Sequence, residues 1–324
     1  MTHLNQKLAE LVQLLNDGEY HDGTSLGNHL NITRAAVWKM IKKLQGYDIE
    51  IRSVKGKGYC LGLKLSLLDE KTIKNRLRHK KIHLDILEKT TSTNDILKQS
   101  IKDNAQITAC FAETQTSGRG RLNRQWHSPF GENIYFSMLY SFQKDISQLS
   151  GLSLMVALAM CHAIEITYPS CLPQVKWPND IMINGCKVAG ILIEIEGQSH
   201  GFCQVIMGVG VNVNMHKASK KHINQNWISL SQVMGHTIDR NPLAAEMINT
   251  LMDYLQRFSN EGMSAFMEEW KKRDCLYHSI ISVQCANTSI KGYCLGIDAL
   301  GHVLLKTDTG EVLSLASGEA SILK

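Results

Sequence analysis

The sequence predicts an α+β fold with a small N-terminal helical unit, a central mixed α/β unit and a C-terminal unit of short strands. Three observations predict it. Residues 1–66 contain three short helical patterns followed by a basic strand pair, and strand and helix patterns alternate over residues 82–269. Short strands dominate residues 270–324. A chain of 324 residues has ample material for hydrophobic cores in each unit.

The composition is that of an ordinary globular protein, with 44% hydrophobic and 20% charged residues. The net charge of +5 permits nucleic-acid binding but does not require it. The longest apolar run, Leu152–Ile164, is interrupted by His162 and is too short to span a bilayer, so no membrane role is expected. Nine cysteines without a Cys-x-x-Cys pair disfavour a zinc site and fit reduced thiols in a cytoplasm.

Residues 1–66 predict a winged helix-turn-helix. Leu4, Leu8, Leu11, Val12 and Leu15 recur at helical spacing, and a second short helix follows. Thr33 is placed to cap a third helix that carries a basic face, and a strand pair turns at Lys55–Gly58. Because helix, turn and basic wing occur in that order, we expect this unit to bind DNA, normally as a dimer on a two-fold operator. The candidate DNA-contacting residues are Thr33, Arg34, Trp38, Lys39, Lys42, Lys43, Lys55 and Lys57.

The alternative for residues 1–66 is a helical cap with solvated lysines, since their charge is modest, with nine Lys/Arg against six Asp/Glu. Residues 67–81 follow as a basic linker helix, for which a solvated face is favoured over a specific contact.

The central unit then begins with a strand over Ile82–Glu88. Thr91–Asp95 is a run of strong N-cap residues that opens a helix to about Lys102. Such a helix start exposes N–H groups and hydroxyls to a small polar ligand.

The most distinctive stretch is Glu113–Asn133, which carries three arginines and three glycines between two apolar strand patterns. Glycine lets the backbone approach a ligand closely, and arginine presents a planar charged fork to phosphate or carboxylate. The loop alone predicts an anionic small ligand and a nucleic acid about equally well. A second stretch, residues 176–194 (KWPNDIMINGCKVAGILIE), contains an Asn-Gly turn that predicts a hairpin with Lys187 at the start of its returning strand.

Together, Ser117–Arg124 and Lys176–Glu194 resemble the two signature segments of biotin protein ligases. With residues 1–66, the chain is similar to the bifunctional, BirA-type members that also repress a biotin operon. The resemblance implies a biotin/lipoate ligase-like central domain at 82–269, after a DNA-binding domain at 1–66 and a linker at 67–81. It also implies an SH3-like small β-barrel at 270–324.

The resemblance also implies roles for individual residues. Lys187, Arg119 and Arg121 would be catalytic. Biotin would contact Ser92, Thr93, Asn94, Gln115, Gly118, Arg119, Gly120, Arg121, Lys187 and Gly190. ATP would contact Arg121, Arg124, Trp126, Asn179, Asp180 and Asn212. Mg²⁺ would arrive with ATP, with Asp180 as a candidate contact, and no protein cage for a metal is expected.

One position departs from the family loop, because Asn123 stands where the third glycine is usual. Asparagine tolerates a left-handed backbone better than most residues, so we expect the turn to survive. For Trp126, a core position is the alternative to stacking on adenine. For Lys187, the alternative is an edge lysine kept for solubility.

The implied reaction has two steps. Biotin and ATP give biotinyl-5′-adenylate, and biotin then passes to a lysine of the carboxyl-carrier protein of acetyl-CoA carboxylase. The adenylate-bound homodimer would repress biotin synthesis genes by binding operator DNA. Two alternatives stay open at this point, a biotin-sensing repressor without ligase activity and a lipoate-type ligase.

Overall fold

The computed structural model describes residues 2–101, 107–199, 201–216, 223, 225–285 and 288–323. The N-terminal elements match the prediction, with one addition before them. In chain order they are β1 Thr2–His3, α1 Gln6–Leu15, α2 Gly23–Leu30, α3 Arg34–Gln45, β2 Ile51–Val54 and β3 Gly58–Leu61. Asn5, Asp22 and Thr33 each accept backbone N–H groups at the start of a helix, which satisfies donors that the helix leaves free.

The central elements alternate between strand and helix. They are α4 Glu70–Arg76, β4 His83–Lys89, α5 Thr93–Ser100, β5 Thr108–Ala112, β6 Ile134–Phe142, α6 Leu152–Thr167, β7 Gln174–Lys176, β8 Asp180–Ile183, β9 Cys186–Ser199, β10 Phe202–Val211, α7 Leu230–Met234, α8 Arg240–Glu261 and α9 Met267–Arg273. Helix α4 is shorter than the predicted linker helix, since Asp69 caps its start and its backbone leaves the helix at Leu77. The predicted end of α5 at Lys102 lies outside the described residues.

The central sheet has eight strands in the order β1-β4-β5-β6-β10-β9-β8-β7. Strands β4 and β5 are parallel and the other neighbours are antiparallel, which confirms a mixed sheet. Strand β1 was not predicted. Two residues give no readable alternation, and their pairing with β4 places the start of the chain in the central sheet.

Both faces of the sheet are covered at its centre. On β5, Ala109 and Phe111 belong to the main core under α6 and α8, whereas Cys110 and Ala112 pack with α5 on the other face. This explains why β5 is buried at every position instead of at alternate ones. Helix α6 with the turn before it, Ile146–Thr167, has the length and composition of a membrane span, but 67% of its apolar window is buried in this core.

The hairpin of β8 and β9 forms as predicted. Asn184 and Gly185 both have positive φ, 51° and 73°, which is the backbone of a two-residue turn that matches strand twist. Asn123 also takes a left-handed conformation, with φ 56°, so the prediction for this position is confirmed. Its neighbour Leu122 is left-handed as well, with φ 53°, and its side chain is exposed.

The C-terminal strands form an antiparallel sheet. They are β11 Ile280–Cys285, β12 Thr288–Ile297, β13 Val303–Lys306, β14 Val312–Leu315 and β15 Glu319–Ile322. Their order is β14-β13-β12-β11-β15, with β14 and β15 at the two ends. The first four strands agree with the prediction. Strand β15 was not predicted, because it is a short segment after Gly318 that carries little alternation.

A buried arginine joins the linker, the central loop and α8. Arg240 and Glu113 form an ion pair in which both side chains are fully buried. The guanidinium also donates to the Ser66 carbonyl at 2.6 Å and to the Asn133 carbonyl at 2.5 Å. Glu113 in turn accepts the Leu68 backbone N–H at 2.6 Å. One side chain therefore holds both ends of the loop 113–133 against the linker.

A second polar contact joins the helix-turn-helix to the central sheet. On β4, Glu88 is buried and accepts the Tyr47 hydroxyl at 2.7 Å, and it forms an ion pair with Lys43 of α3. Its other oxygen, Oε2, is buried without a partner among the described residues. The Tyr47 ring stacks on Phe130 with centroids 4.4 Å apart, and burial together with the Glu88 contact raises the Tyr47 pKa.

We expect Arg240→Met to destabilise the protein by about 3–5 kcal/mol, since it leaves the Glu113 carboxylate buried without its cation. Denaturant unfolding followed by circular dichroism measures this loss. Adding Glu113→Gln should recover part of it, because the charge is then gone. Lys271→Met, at an exposed ion pair with Glu268, serves as the control and should change the unfolding midpoint little. An unfolding curve of Arg240→Met that matches the wild type would contradict the clamp.

Candidate active site

A cavity of about 750 Å³ opens where α5, the loop 113–133, β9 and β10 meet the edge strand β15 of the C-terminal sheet. Fourteen of the predicted small-ligand residues line it. They are Ser92, Thr93, Asn94, Gln115, Arg119, Gly120, Arg121, Arg124, Trp126, Asn179, Asp180, Lys187, Gly190 and Asn212. Gly118 is not part of the wall. A Cβ there would lie 2.8 Å from the Trp126 carbonyl, so its role is to let the loop fold closely.

Strand alternation decides which side chains reach the cavity. Gly208 and Gly210 lie on the α5 face of β10, with Ile206. A Cβ at Gly208 would stand 2.5 Å from Asn94, and one at Gly210 would stand 2.4 Å from the Trp126 indole. Only glycine leaves room for both side chains at these positions.

The start of α5 forms the polar base of the cavity. Thr93 and Asn94 are buried, and both contact Ser137 of β6, at 2.6 and 2.5 Å. The Thr93 backbone N–H donates to Gln115 at 2.9 Å. Ser92 occupies the N-cap position but makes no capping hydrogen bond with its side chain. A helix start with polar groups directed at a cavity suits a small neutral polar ligand group.

Charged groups surround this base in pairs. Arg119 donates to both carboxylate oxygens of Asp95, at 2.6 and 2.9 Å. These bonds hold the pKa of Asp95 below its usual range. Glu194 accepts Asn94 at 2.5 Å and Lys98 at 2.9 Å. Burial alone would raise the Glu194 pKa, but the Asn94 and Lys98 contacts outweigh it and the pKa is lowered.

Lys187 points inward, as the buried-lysine interpretation requires. Its side chain is 15% exposed, and its ammonium lies 2.7 Å from Asp180 Oδ1. It also lies 5.5 Å from the centre of the Trp126 ring. The Trp126 N–H is buried without a partner among the described residues. A cation and an unused N–H donor therefore lie close together near the start of β9. An anionic ligand bound there would accept hydrogen bonds from both.

The loop also contacts the C-terminal sheet. Arg121 donates to the Gly318 carbonyl at 3.2 Å and to Asn179 at 3.3 Å. Arg124 pairs with Glu319 at 2.7 Å. Asn179 is itself held by a 2.8 Å bond to the Ile191 carbonyl. Both arginines are thus placed at the boundary between the two sheets, with partners that a stronger anion could replace.

Several residues of this site were missed from the sequence. They are Asp95, Ser137, Glu194, Trp227 and Glu319. Ser137 and Gly208 are directly paired across β6 and β10, and Glu194 pairs with Ile206. Counting every second residue along these strands could therefore have found Ser137 and Glu194. Glu319 could not be found this way, since it comes from a strand far along the chain.

Among the described residues, no group of three His, Cys, Asp or Glu side chains could hold a metal ion. Asp180, the candidate contact, already faces the Lys187 ammonium. A divalent cation would therefore need further oxygen ligands from a bound phosphate group.

The basic face of the helix-turn-helix is exposed. Every predicted DNA-contacting side chain lies on the surface, namely Thr33, Arg34, Trp38, Lys39, Lys42, Lys43, Lys55 and Lys57. Trp38 is 51% exposed, and the Lys42 ammonium lies 6.0 Å from its ring. Lys43 differs from the others because its ammonium is paired with Glu88 of the central sheet.

Gly210→Ala tests the packing of Trp126. We expect the added methyl group to displace the indole, because the two would overlap at 2.4 Å. ¹⁹F NMR of protein labelled with 5-fluorotryptophan, with the Trp126 signal assigned through Trp126→Phe, reports the shift. Gly120→Ala is the matched control, since its nearest neighbour would be 3.6 Å away and the Trp126 signal should stay in place. An unmoved signal in Gly210→Ala would refute this packing.

Comparison with known proteins agrees with this arrangement. Residues 86–212 match the Biotin/lipoate A/B protein ligase family, and residues 7–60 match an HTH domain. The chain is 36% identical to the bifunctional ligase/repressor BirA of Salmonella typhimurium, over 96% of both chains. It is 35% identical to that of Escherichia coli, over 97% of this chain and 96% of the other.

Among solved structures, the biotin protein ligase of Aquifex aeolicus in complex with biotin and ATP superposes with a TM-score of 0.64 at 27% identity. It covers 75% of this chain and 99% of its own. Sequence and structure together place this chain in the family of bifunctional biotin protein ligases and repressors of the BirA type.

Proposed function

We propose that this protein is an ATP-dependent biotin protein ligase that also represses transcription. It joins biotin to ATP as biotinyl-5′-adenylate, with release of diphosphate, and then transfers biotin to a lysine of the carboxyl-carrier protein of acetyl-CoA carboxylase. The observation that carries the proposal is one cavity that collects the α5 start, the glycine–arginine loop and the inward lysine. The biotin–[acetyl-CoA-carboxylase] ligase of Paracoccus denitrificans is 27% identical to this protein over 69% of this chain.

The cavity divides into a neutral polar part and a cationic part. We assign the ureido ring of biotin to Ser92, Thr93 and Asn94, with Gln115 and Gly190 beside it. The carboxylate of biotin then faces Arg119, Arg121 and Lys187. This division matches the ligand, because a neutral ring and an anion lie at opposite ends of biotin.

The nucleotide belongs at the boundary of the two sheets. We assign it to Arg121, Arg124, Trp126, Asn179, Asp180 and Asn212. The carboxylate of biotin attacks the α-phosphorus, and the bond to diphosphate breaks. Two anions must approach each other, and negative charge builds on the phosphate oxygens, so the cations of Arg121, Arg124 and Lys187 lower the barrier. Mg²⁺ bound to ATP supplies further neutralisation of the phosphates.

The transfer step requires that the acceptor lysine reach the adenylate and that the adenylate be protected from water. The mixed anhydride is the activated species, and the acceptor lysine attacks its carbonyl while AMP leaves. Until then the anhydride must be kept from water. The loop 113–133, bonded to the C-terminal sheet through Arg121 and Arg124, is placed to cover it.

The repressor activity belongs to residues 1–66. The exposed basic faces of α3 and of the β2–β3 wing suit the major groove and the flanking phosphates. We infer a homodimer on a two-fold operator, formed when the adenylate orders the loop, and a location in the cytoplasm. All nine cysteines are free thiols, which fits a reducing compartment.

Incubation of a carboxyl-carrier domain with the protein, ATP, Mg²⁺ and biotin tests the ligase. Mass spectrometry should show a gain of one biotin on a single lysine, and lipoate should give no product. Lys187→Ala should lower the rate of adenylate formation by about 10²–10³-fold, since it removes a cation at the developing charge. Lys271→Ala, exposed on α9, is the control and should retain the full rate. Absence of biotinylation by the wild type would refute the ligase function.

Lys39→Ala tests the DNA interface. With biotin and ATP present, it should weaken binding to a fragment from upstream of the organism's own biotin synthesis genes. The slope of log K against log salt should fall by about 1 in magnitude, because one phosphate contact is lost. The ligase rate should not change, since Lys39 is not among the residues that line the cavity. Gel-shift titrations at several salt concentrations measure this, and an unaltered slope would exclude Lys39 from the interface.

A further inference from the structure

A chain of hydrogen bonds leads from a partly buried carboxylate outside the cavity wall to a hydroxyl on that wall. Asn94 Nδ2 lies 2.5 Å from Glu194 Oε2, and Asn94 Oδ1 lies 2.5 Å from Ser137 Oγ. Ser137 Oγ lies 2.6 Å from Thr93 Oγ1. Thr93 and Asn94 line the cavity, whereas Glu194 and Ser137 do not.

The carboxylate fixes the direction of the first bond. Glu194 is ionised, because Lys98 lies 2.9 Å away and Arg119 lies 3.5 Å away. An ionised carboxylate has no proton and can only accept. Asn94 must therefore turn its NH₂ group toward Glu194. Its carbonyl oxygen then faces Ser137, and Ser137 must be the donor of that bond because a carbonyl oxygen can only accept.

The direction passes along the chain because each hydroxyl has one proton. Ser137 gives its proton to Asn94 Oδ1, so it can only accept from Thr93. The Thr93 hydroxyl in turn gives its proton to Ser137. Gln115 Oε1 accepts the Thr93 backbone N–H at 2.9 Å, and its contact with Thr93 Oγ1, at 3.3 Å, is longer and weaker than the Ser137 contact.

We propose that Glu194 is a positioning residue that makes the Thr93 hydroxyl a pure hydrogen-bond acceptor toward the cavity. The site therefore selects a ligand that presents an N–H group at Thr93. A cyclic urea does so, and this part of the inference rests on the proposed biotin ligase function. A ligand that presents only an acceptor at that point would set its lone pairs against those of the Thr93 hydroxyl.

The alternative direction is costly in this structure. If Thr93 pointed its proton into the cavity, Ser137 would have no donor, or Asn94 would have to rotate its carbonyl oxygen toward the Glu194 carboxylate. Either change leaves buried polar groups unpaired or sets acceptor against acceptor. Specificity for the N–H thus comes from a charge that never touches the ligand.

Glu194→Gln removes the constraint and nearly keeps the shape. An amide can donate or accept, so Asn94 is free to take either orientation. We expect the Kd for biotin, measured by calorimetry, to rise about tenfold, the equivalent of one hydrogen bond. The KM for ATP should stay unchanged, since the nucleotide residues lie elsewhere in the cavity.

An exchange of the two groups distinguishes direction from packing. In Asn94→Asp alone, two carboxylates oppose each other and biotin binding should weaken at least as much as in Glu194→Gln. In Asn94→Asp/Glu194→Gln, the amide introduced at position 194 donates to the carboxylate introduced at position 94. That carboxylate still accepts from Ser137, so Thr93 remains an acceptor. We expect the double variant to bind biotin about tenfold more tightly than Asn94→Asp alone, since the hydrogen bond lost in the single variant is restored.

Ser137→Ala cuts the chain at its centre and provides a second variant. It should raise the Kd for biotin by about the same factor as Glu194→Gln. Ser141→Ala, four residues along the same strand, is the matched control and should bind biotin as the wild type does. Thermal unfolding of every variant establishes that each is folded.

A wild-type Kd for biotin in Glu194→Gln would overturn the inference. So would a double variant that binds no more tightly than Asn94→Asp. Both outcomes leave the ligase function intact, because the wild type would still bind biotin and form the adenylate. Failure of the wild type to bind biotin would instead overturn the proposed function.

Discussion

The loop over the cavity is held by one buried arginine. Arg240 contacts the first residue of the loop, Glu113, and the last, Asn133, and it also binds the linker at Ser66. The backbone closes the same junction, since the Gly131 N–H donates to the Glu113 carbonyl at 3.1 Å. A loop with fixed ends can rearrange its tip without opening its base. Glycine and arginine can therefore occupy the tip, where the backbone must turn freely and the charges must reach a ligand.

Three cations of the site are paired with carboxylates, whereas Arg121 binds the Gly318 carbonyl and the Asn179 side chain. Arg119 pairs with Asp95, Arg124 with Glu319 and Lys187 with Asp180. Arg119 and Lys187 are partly buried and would be costly to leave without partners, so these pairs keep their charges aligned. A ligand that brings its own anions exchanges partners with these residues. The free energy of ligand binding is thus the difference between the ion pairs that the ligand forms and those that it replaces. This difference favours a ligand whose anions are well positioned over one that only carries charge.

The sequence revealed the residues that carry reactive groups more readily than those that orient them. Lys187, the arginines of the loop and the α5 start lie in compact motifs, where type and spacing are visible along the chain. Glu194 and Ser137 act through pairing across strands, so their meaning depends on register. Asp95 lies beside a predicted site residue, but an aspartate at this position is typical of the start of any helix. Glu319 lies on β15, a strand too short to show a clear alternation of apolar and polar residues. In the same way, the basic pattern of α3 could not show that Lys43 faces a carboxylate of another unit.

The contact between Lys43 and Glu88 joins the helix-turn-helix to the central sheet. Glu88 lies on β4, which leads directly through Thr90 to Ser92, and Phe130 ends the segment that follows the glycine–arginine tip. Tyr47 touches both, by its hydroxyl and by its ring. Any rotation of α3 away from the central sheet would take Lys43 and Tyr47 from a carboxylate that is 1% exposed, and would uncover the Phe130 ring. The buried charge therefore resists separation of the reading helix from the ligase domain, since an unpaired carboxylate in that position is more costly than either contact is favourable. The cavity and the DNA-facing helix are thus joined through contacts of only a few side chains.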